Sequence, residues 1–155
     1  MQMTIKMEGD VNRKDIDKWF RLITLGLYKD VIIGTPVDTG RARANWQLAI
    51  GTAPSSVLNK TDKGRQKSSS GASASEVRKA NQKMGVRKAG RSVFSANNLG
   101  YIGKLEEGHS KQNSKWVENA MKRAEARRVP VGKLKLSLRS LPNERKRYHR
   151  YQRSR

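Results

Sequence analysis

Apolar and polar positions alternate from the first residue: Met1, Met3, Ile5 and Met7 against Gln2, Thr4, Lys6 and Glu8. A period of two predicts a short half-buried strand, ended by Gly9. After Asn12, a suitable N-cap, with Asp15 in the favourable first turn, the period lengthens. Ile16, Trp19, Phe20, Ile23, Leu27 and Val31 fall on one helical stripe. The sequence therefore predicts a helix over roughly residues 12–33, with Trp19 and Phe20 in the core. Gly34 and Pro36 stop that helix, Gly34 as a left-handed terminal residue and Pro36 by forcing Thr35 into an extended conformation. Asp38, Thr39 and Gly40 then turn the chain, with Gly40 free to take a positive φ. From Arg43 the period is two again. Ala44, Trp46, Leu48 and Ile50 share one face and Arg43, Asn45 and Gln47 the other, which predicts the first core strand.

Beyond Thr52 the pattern fades. Residues 54–75 are rich in Ser, Gly and Lys with few apolar residues, and read as a flexible loop, because such a segment buries too little surface to offset its ordering entropy. Ser73 and Glu76 form a capping box for a short helix over 73–84, which Gly85 ends. Val86–Ala96 reads as a second strand centred on Val93 and Phe94. Asn97 and Asn98 cap a short helix in which Tyr101, Ile102 and Leu105 share a face and Gly108 stops the turn. Trp116, Val117, Ala120, Met121 and Ala124 recur at helical spacing and predict a helix over roughly 114–128. Lys133–Arg139 alternates leucines with polar and mostly basic residues, and is expected as a strand that adds to the sheet edge of a neighbouring chain. No internal repeat is visible.

These elements define an α+β fold: a small, mainly antiparallel sheet packed on the long N-terminal helix. It forms one domain over 1–128, followed by a basic arm over 129–155. Composition narrows the function. There is no cysteine, so disulfide scaffolds, cysteine zinc sites and thiol chemistry are excluded. With 34 Lys+Arg against 13 Asp+Glu, the formal charge is +21, which points to nucleic acid, an acidic protein surface or a neutralising assembly. No apolar run approaches the ~20 residues of a membrane span. The N-terminal stretch lacks the apolar core of a signal peptide, so cytoplasmic use or assembly is expected.

Two stretches together carry a resemblance. Thr35-Pro36-Val37-Asp38-Thr39-Gly40-Arg41, running on to Trp46 and Gln47, is one; Asn97-Asn98-Leu99 through Tyr101, Leu105, Glu106, Gly108, Ser110, Lys111 and Gln112 is the other. In this order and spacing they resemble the minor tail, or tail-completion, proteins that join head to tail in long-tailed, lambda-like phages. Ser55–Gln66 is similar to that family's variable loop, so the resemblance covers roughly residues 12–128. This chain departs from it at Gly100 and at Asn113–Trp116.

The resemblance implies a structural virion protein of the neck, without enzymatic activity or cofactor. It implies a homo-oligomeric ring, hexameric by analogy, around a DNA ejection channel. The implied partners are the tail-tube or tail-terminator protein, the head connector or stopper, the tape-measure protein, and transient DNA. The implied location is the virion, after assembly in the host cytoplasm.

No catalytic constellation competes with this. His109, beside Glu106 and Glu107, is the nearest approach to a metal site, and reads as a surface histidine. Glu106 and Glu107 are neighbours about 100° apart on a helix, so they do not face each other as an acid–base pair. Glu106 reads instead as a structural or subunit-contact carboxylate, and Asp38 with Arg41 and Arg43 as the polar fastening of the corner. The arm outside the resemblance carries the candidate partner or DNA contacts: Lys133, Lys135, Arg145, Lys146, Arg147, Arg150, Arg153 and Arg155, with Tyr148 and Tyr151 placed to stack on bases. Docking on an acidic neighbouring protein is preferred. The rival is a monomeric, ribosomal-protein-like nucleic-acid-binding protein.

Overall fold

The alternation at the N-terminus becomes strand β1, Gln2–Glu8, with Met3 and Ile5 buried and Lys6 exposed. A computed structural model describes residues 1–8, 13–61, 78–83, 92–127 and 133–139. The expectations placed on 62–77, on 84–91 and on the arm from 140, including Arg145, Lys146, Arg147, Tyr148, Arg150, Tyr151, Arg153 and Arg155, lie outside the described residues.

The longest element is helix α1, Arg13–Gly34. It buries Phe20, Ile23, Leu27 and Val31, as the stripe requires, together with Thr24, Tyr28 and Ile32. Trp19 does not join them. It lies one residue, hence about 100°, round the helix from Phe20, and is 38% exposed; Leu22 is 52% exposed.

A helical turn α2, Arg41–Ala44, precedes strand β2, Gln47–Ile50. The predicted strand thus begins four residues later than the alternation suggested. Gly40 sits in the left-handed region with φ 76°, and the Arg-Ala-Arg-Ala run after it consists of good helix formers. Asn45, expected on the polar face, is instead fully buried, its side-chain amide closing the turn on the Arg41 carbonyl at 2.9 Å.

Further along come the helical segment α3 at 78–83, strand β3 (Val93–Ala96), the short helix α4 (Ile102–Lys104) running into a π-helical turn at Leu105–His109, helix α5 (Trp116–Glu125) and strand β4 (Lys133–Arg139). The four strands form one antiparallel sheet in the order β2-β3-β1-β4. Met3, Ile5, Leu48 and Val93 are buried on the sheet and join one core with the α1 stripe and with Trp116, Val117, Ala120 and Ala124 of α5.

The sheet corrects one expectation directly. β4 does not wait for a neighbouring chain: it pairs with β1 over its whole length, Gln2 opposite Arg139 through Glu8 opposite Lys133. Lys133 and Lys135 are therefore sheet residues, and the folded part extends past 128 to Arg139. The register sets Leu134, Leu136 and Leu138 opposite Met7, Ile5 and Met3, and leaves Leu138 exposed at 39%.

α5 runs antiparallel to α1 along a ridge of residues four apart. Gly34 meets Trp116, Asp30 pairs with Arg123 at 3.4 Å, and Gly26 lies under the Arg127 guanidinium. Gly34 is thus not the left-handed stop that was expected. Its φ is not positive, and its value lies in the missing side chain: a Cβ there would stand 2.8 Å from the Trp116 Cβ. No helix of the described residues is long and apolar enough to cross a membrane.

Candidate interface built from two joined corners

The first corner is fastened to the end of α1 through Thr35. Its N–H and its hydroxyl both donate to the Val31 carbonyl, at 3.1 and 2.7 Å. The hydroxyl in turn accepts the Trp46 indole N–H at 2.8 Å. Tyr28 donates to the Trp46 carbonyl at 2.9 Å. Every group in this chain of bonds is buried, so each bond also prevents the cost of a stranded donor or acceptor. Pro36 and Gly40 are buried, whereas Asp38, Thr39 and Arg41 are exposed. Arg41 N–H donates to the Thr39 hydroxyl at a long 3.4 Å. Arg43 is buried and reaches the Thr35 carbonyl at 3.5 Å.

The second corner starts at Asn97, which ends β3 and is fully buried. Its side-chain amide donates to the Ala42 carbonyl at 2.7 Å, and its oxygen accepts from Leu99 N–H at 3.3 Å. Asn98 donates to the carbonyls of Pro54 and Ser56, at 3.0 and 2.9 Å. Asn45 completes this clamp by accepting from Leu58 N–H at 2.7 Å. The two asparagines were expected as helix caps, but α4 starts after Tyr101 with no side-chain cap; Asn97 instead holds the first corner and Asn98 the chain that leaves β2. Tyr101 and Leu105 are half-buried and Ile102 fully so. Burial pushes the Tyr101 hydroxyl above the ordinary value of 10.0; the Arg41 cation opposes this and Asp38 adds to it.

At Glu106 the geometry shows a contact within the chain. The residue is buried, and its carboxylate accepts from Val117 N–H at 3.1 and 3.2 Å and from Glu118 N–H at 3.0 Å. Its own carbonyl accepts from Lys115 N–H at 2.8 Å. Glu106 is therefore the cap of α5, supplied from a remote turn, and it sets a negative charge at the positive end of the helix dipole. The π-helical turn and Gly108, with φ 108°, bring the chain round for this contact. Glu107 and His109 are exposed, and His109 Nδ1 lies 2.9 Å from the Lys104 carbonyl. Among the described residues no three His, Cys, Asp or Glu side chains gather as a metal would need.

The two corners are joined at Gln112. Its side-chain oxygen accepts from Val37 N–H at 2.8 Å, and its nitrogen donates to the Val37 carbonyl at 2.7 Å. Ser110 orients this turn by accepting from Gln112 N–H at 3.2 Å, next to the exposed Lys111. Asn113 adds a bond to the Gly34 carbonyl at 2.8 Å. Asn45, Asn113 and the Gly34–Trp116 contact were not singled out from the sequence. No local signal marks Asn113 or the Gly34–Trp116 contact, because the partners lie far along the chain, and Asn45 was hidden by an alternation that placed it on the polar face of a strand.

No protein-family model, curated protein or solved structure matches this chain.

Proposed function

We propose that this chain is a structural subunit of a phage neck or tail end. Copies form a ring that completes the tail and joins it to the head connector, leaving a channel for DNA. The observation that carries the reading is the double bond-exchange between Val37 and Gln112. Through it the two stretches that resemble tail-completion proteins act as one rigid corner rather than as two separate turns.

A subunit that closes a ring needs a fixed angle between its head-to-tail surfaces, and a hydrogen-bonded corner supplies one. The buried polar groups there, Thr35, Asn97 and Glu106, bond this chain's own backbone, as befits a scaffold rather than a catalyst. We assign no catalytic residue, cofactor or metal. The partners are further copies of the chain, six to the ring by analogy, the tail-tube or terminator protein on one side and the connector or stopper on the other. The tape-measure protein lies nearby, and DNA passes in transient contact. The site of action is the virion, assembled in the host cytoplasm.

One observation favours a second reading: the formal charge of +21 suits a monomeric nucleic-acid-binding protein. Light scattering and negative-stain microscopy of the full chain, alone and with tail tubes, separate the two. Rings, and particles that fail to join tails when the gene is removed, are expected. A folded monomer at every concentration, binding DNA or RNA with a steep loss in salt, would overturn the neck reading.

A further inference from the structure

β2 is an outer strand of the sheet, with β3 on one side only. The bond from Gly51 N–H to the Ser92 carbonyl, at 2.9 Å, sets the alternation along this pair. Gln47 and Ala49 turn their backbone groups toward β3, and Leu48 and Ile50 turn theirs outward. Among the described residues, no backbone group meets the outward N–H of Leu48 or the outward groups of Ile50. The Leu48 carbonyl is met by a side chain instead, the Lys83 ammonium at 3.3 Å. Lys83 thus stands where the N–H of an added strand would stand.

Against this edge lies an open cleft of about 470 Å³, bounded by β2, by the segment that follows it and by α3. Half-buried Pro54 and Leu58, with the almost fully buried Trp46 and Leu48, give it an apolar floor, and Lys60, Lys79 and Lys83 line it without any Asp or Glu. We propose that the cleft takes an extended acidic segment of a partner protein, which adds as a fifth strand beside β2. Its backbone pairs with the outward N–H of Leu48 and the outward groups of Ile50, and takes the Leu48 carbonyl as Lys83 turns from it to a carboxylate of the segment. Because an extended segment presents alternate side chains to opposite sides, one set meets the apolar floor and the other carries carboxylates to the lysines.

A second copy of this chain is a poor occupant, since its longest acidic run is the pair Glu106-Glu107, of which Glu106 is buried as the cap of α5. Nucleic acid offers phosphates to the lysines but no ladder of donors and acceptors at strand spacing. The inference does not depend on the neck reading, and holds for either class of protein.

The test uses the full chain, isotope-labelled, at about 0.15 M salt, where contacts between exposed charges are partly screened. The probe is a blocked eight-residue peptide of alternating glutamate and valine. The expected result is a shift of the Leu48 and Ile50 amide signals, with slowed hydrogen exchange at both. The double variant Lys60→Glu with Lys83→Glu binds about tenfold more weakly, and the same peptide methylated at every backbone nitrogen does not bind. Equal binding of the methylated peptide, shifts confined to other surfaces, or an oligothymidine that binds the same amides as tightly would each overturn the proposal.

Discussion

Gln112 replaces a strand for Val37. Its single side chain meets both the N–H and the carbonyl of that residue, at 2.8 and 2.7 Å, although 75 positions separate them in sequence. A primary amide is the one side chain that offers a donor and an acceptor side by side, in the geometry of a peptide group. The position therefore asks for Gln in a way that a merely polar residue does not satisfy.

Gln112→Ala is expected to cost about 1–2 kcal/mol, since two modest bonds at an exposed site are lost. Gln112→Glu keeps the bond from Val37 N–H but sets a carboxylate against the Val37 carbonyl, and should not recover the loss. Urea unfolding of the three chains checks both.

Glu106→Gln keeps the shape of the cap and removes its charge. Stability should fall by about 1–2 kcal/mol. Hydrogen exchange should quicken first at Val117 and Glu118, the two amides that the carboxylate holds.

The two glycines that face α5 should respond in opposite ways. Both lie in α1, where Ala is favoured over Gly by about 1 kcal/mol. At Gly34 the new methyl meets the Trp116 Cβ, which belongs to a buried side chain, so Gly34→Ala should destabilise by about 1–3 kcal/mol. At Gly26 it meets only the far end of Arg127, so Gly26→Ala should be neutral or stabilising. Thermal unfolding of the pair decides.

Cutting the chain after Arg139 should leave the described domain folded. Cutting after Arg128 removes β4, which pairs with β1 along its whole length, and should abolish cooperative unfolding. Circular dichroism during thermal denaturation separates the outcomes.

Tyr101 should ionise at higher pH than an ordinary tyrosine, because burial disfavours the phenolate. Its raised value means that the folded state holds the proton longer than the unfolded state. The associated stability is complete below the ordinary value of 10.0 and is lost as pH rises through the folded value. Tyr101→Phe should flatten that alkaline decline in a series of urea midpoints.

Much of this architecture was legible in the chain because it is local. The stripe through Phe20, Ile23, Leu27 and Val31, the alternation of Met3 and Ile5, and the positive φ at Gly40 and Gly108 each follow from a few adjacent residues. What escaped is non-local. Trp19 belonged to the stripe by spacing, but the sheet and α5 cover neighbouring sectors of the helix and leave it at the margin. Arg43–Gln47 alternates as a strand would, yet the corner that Thr35 and Asn97 fasten holds its first half as a helical turn. The leucine alternation of β4 was read correctly as a strand, while its partner lies at the opposite end of the sequence. At the candidate interface the residues were found but their pairings were not, since Gln112 names no partner until the chain is folded.

The place of β1 in the sheet has a consequence for how the protein is made. β1 is translated before both of its neighbours, β3 and β4, so neither of its flanks is closed until distant segments have been synthesised. Contacts that span so much of the chain slow folding, because loop closure precedes any reward from pairing. On the ribosome Met3 and Ile5 must remain uncovered on one side until Arg139 has emerged, and over that interval the nascent chain depends on α1, or on a chaperone, to shield them.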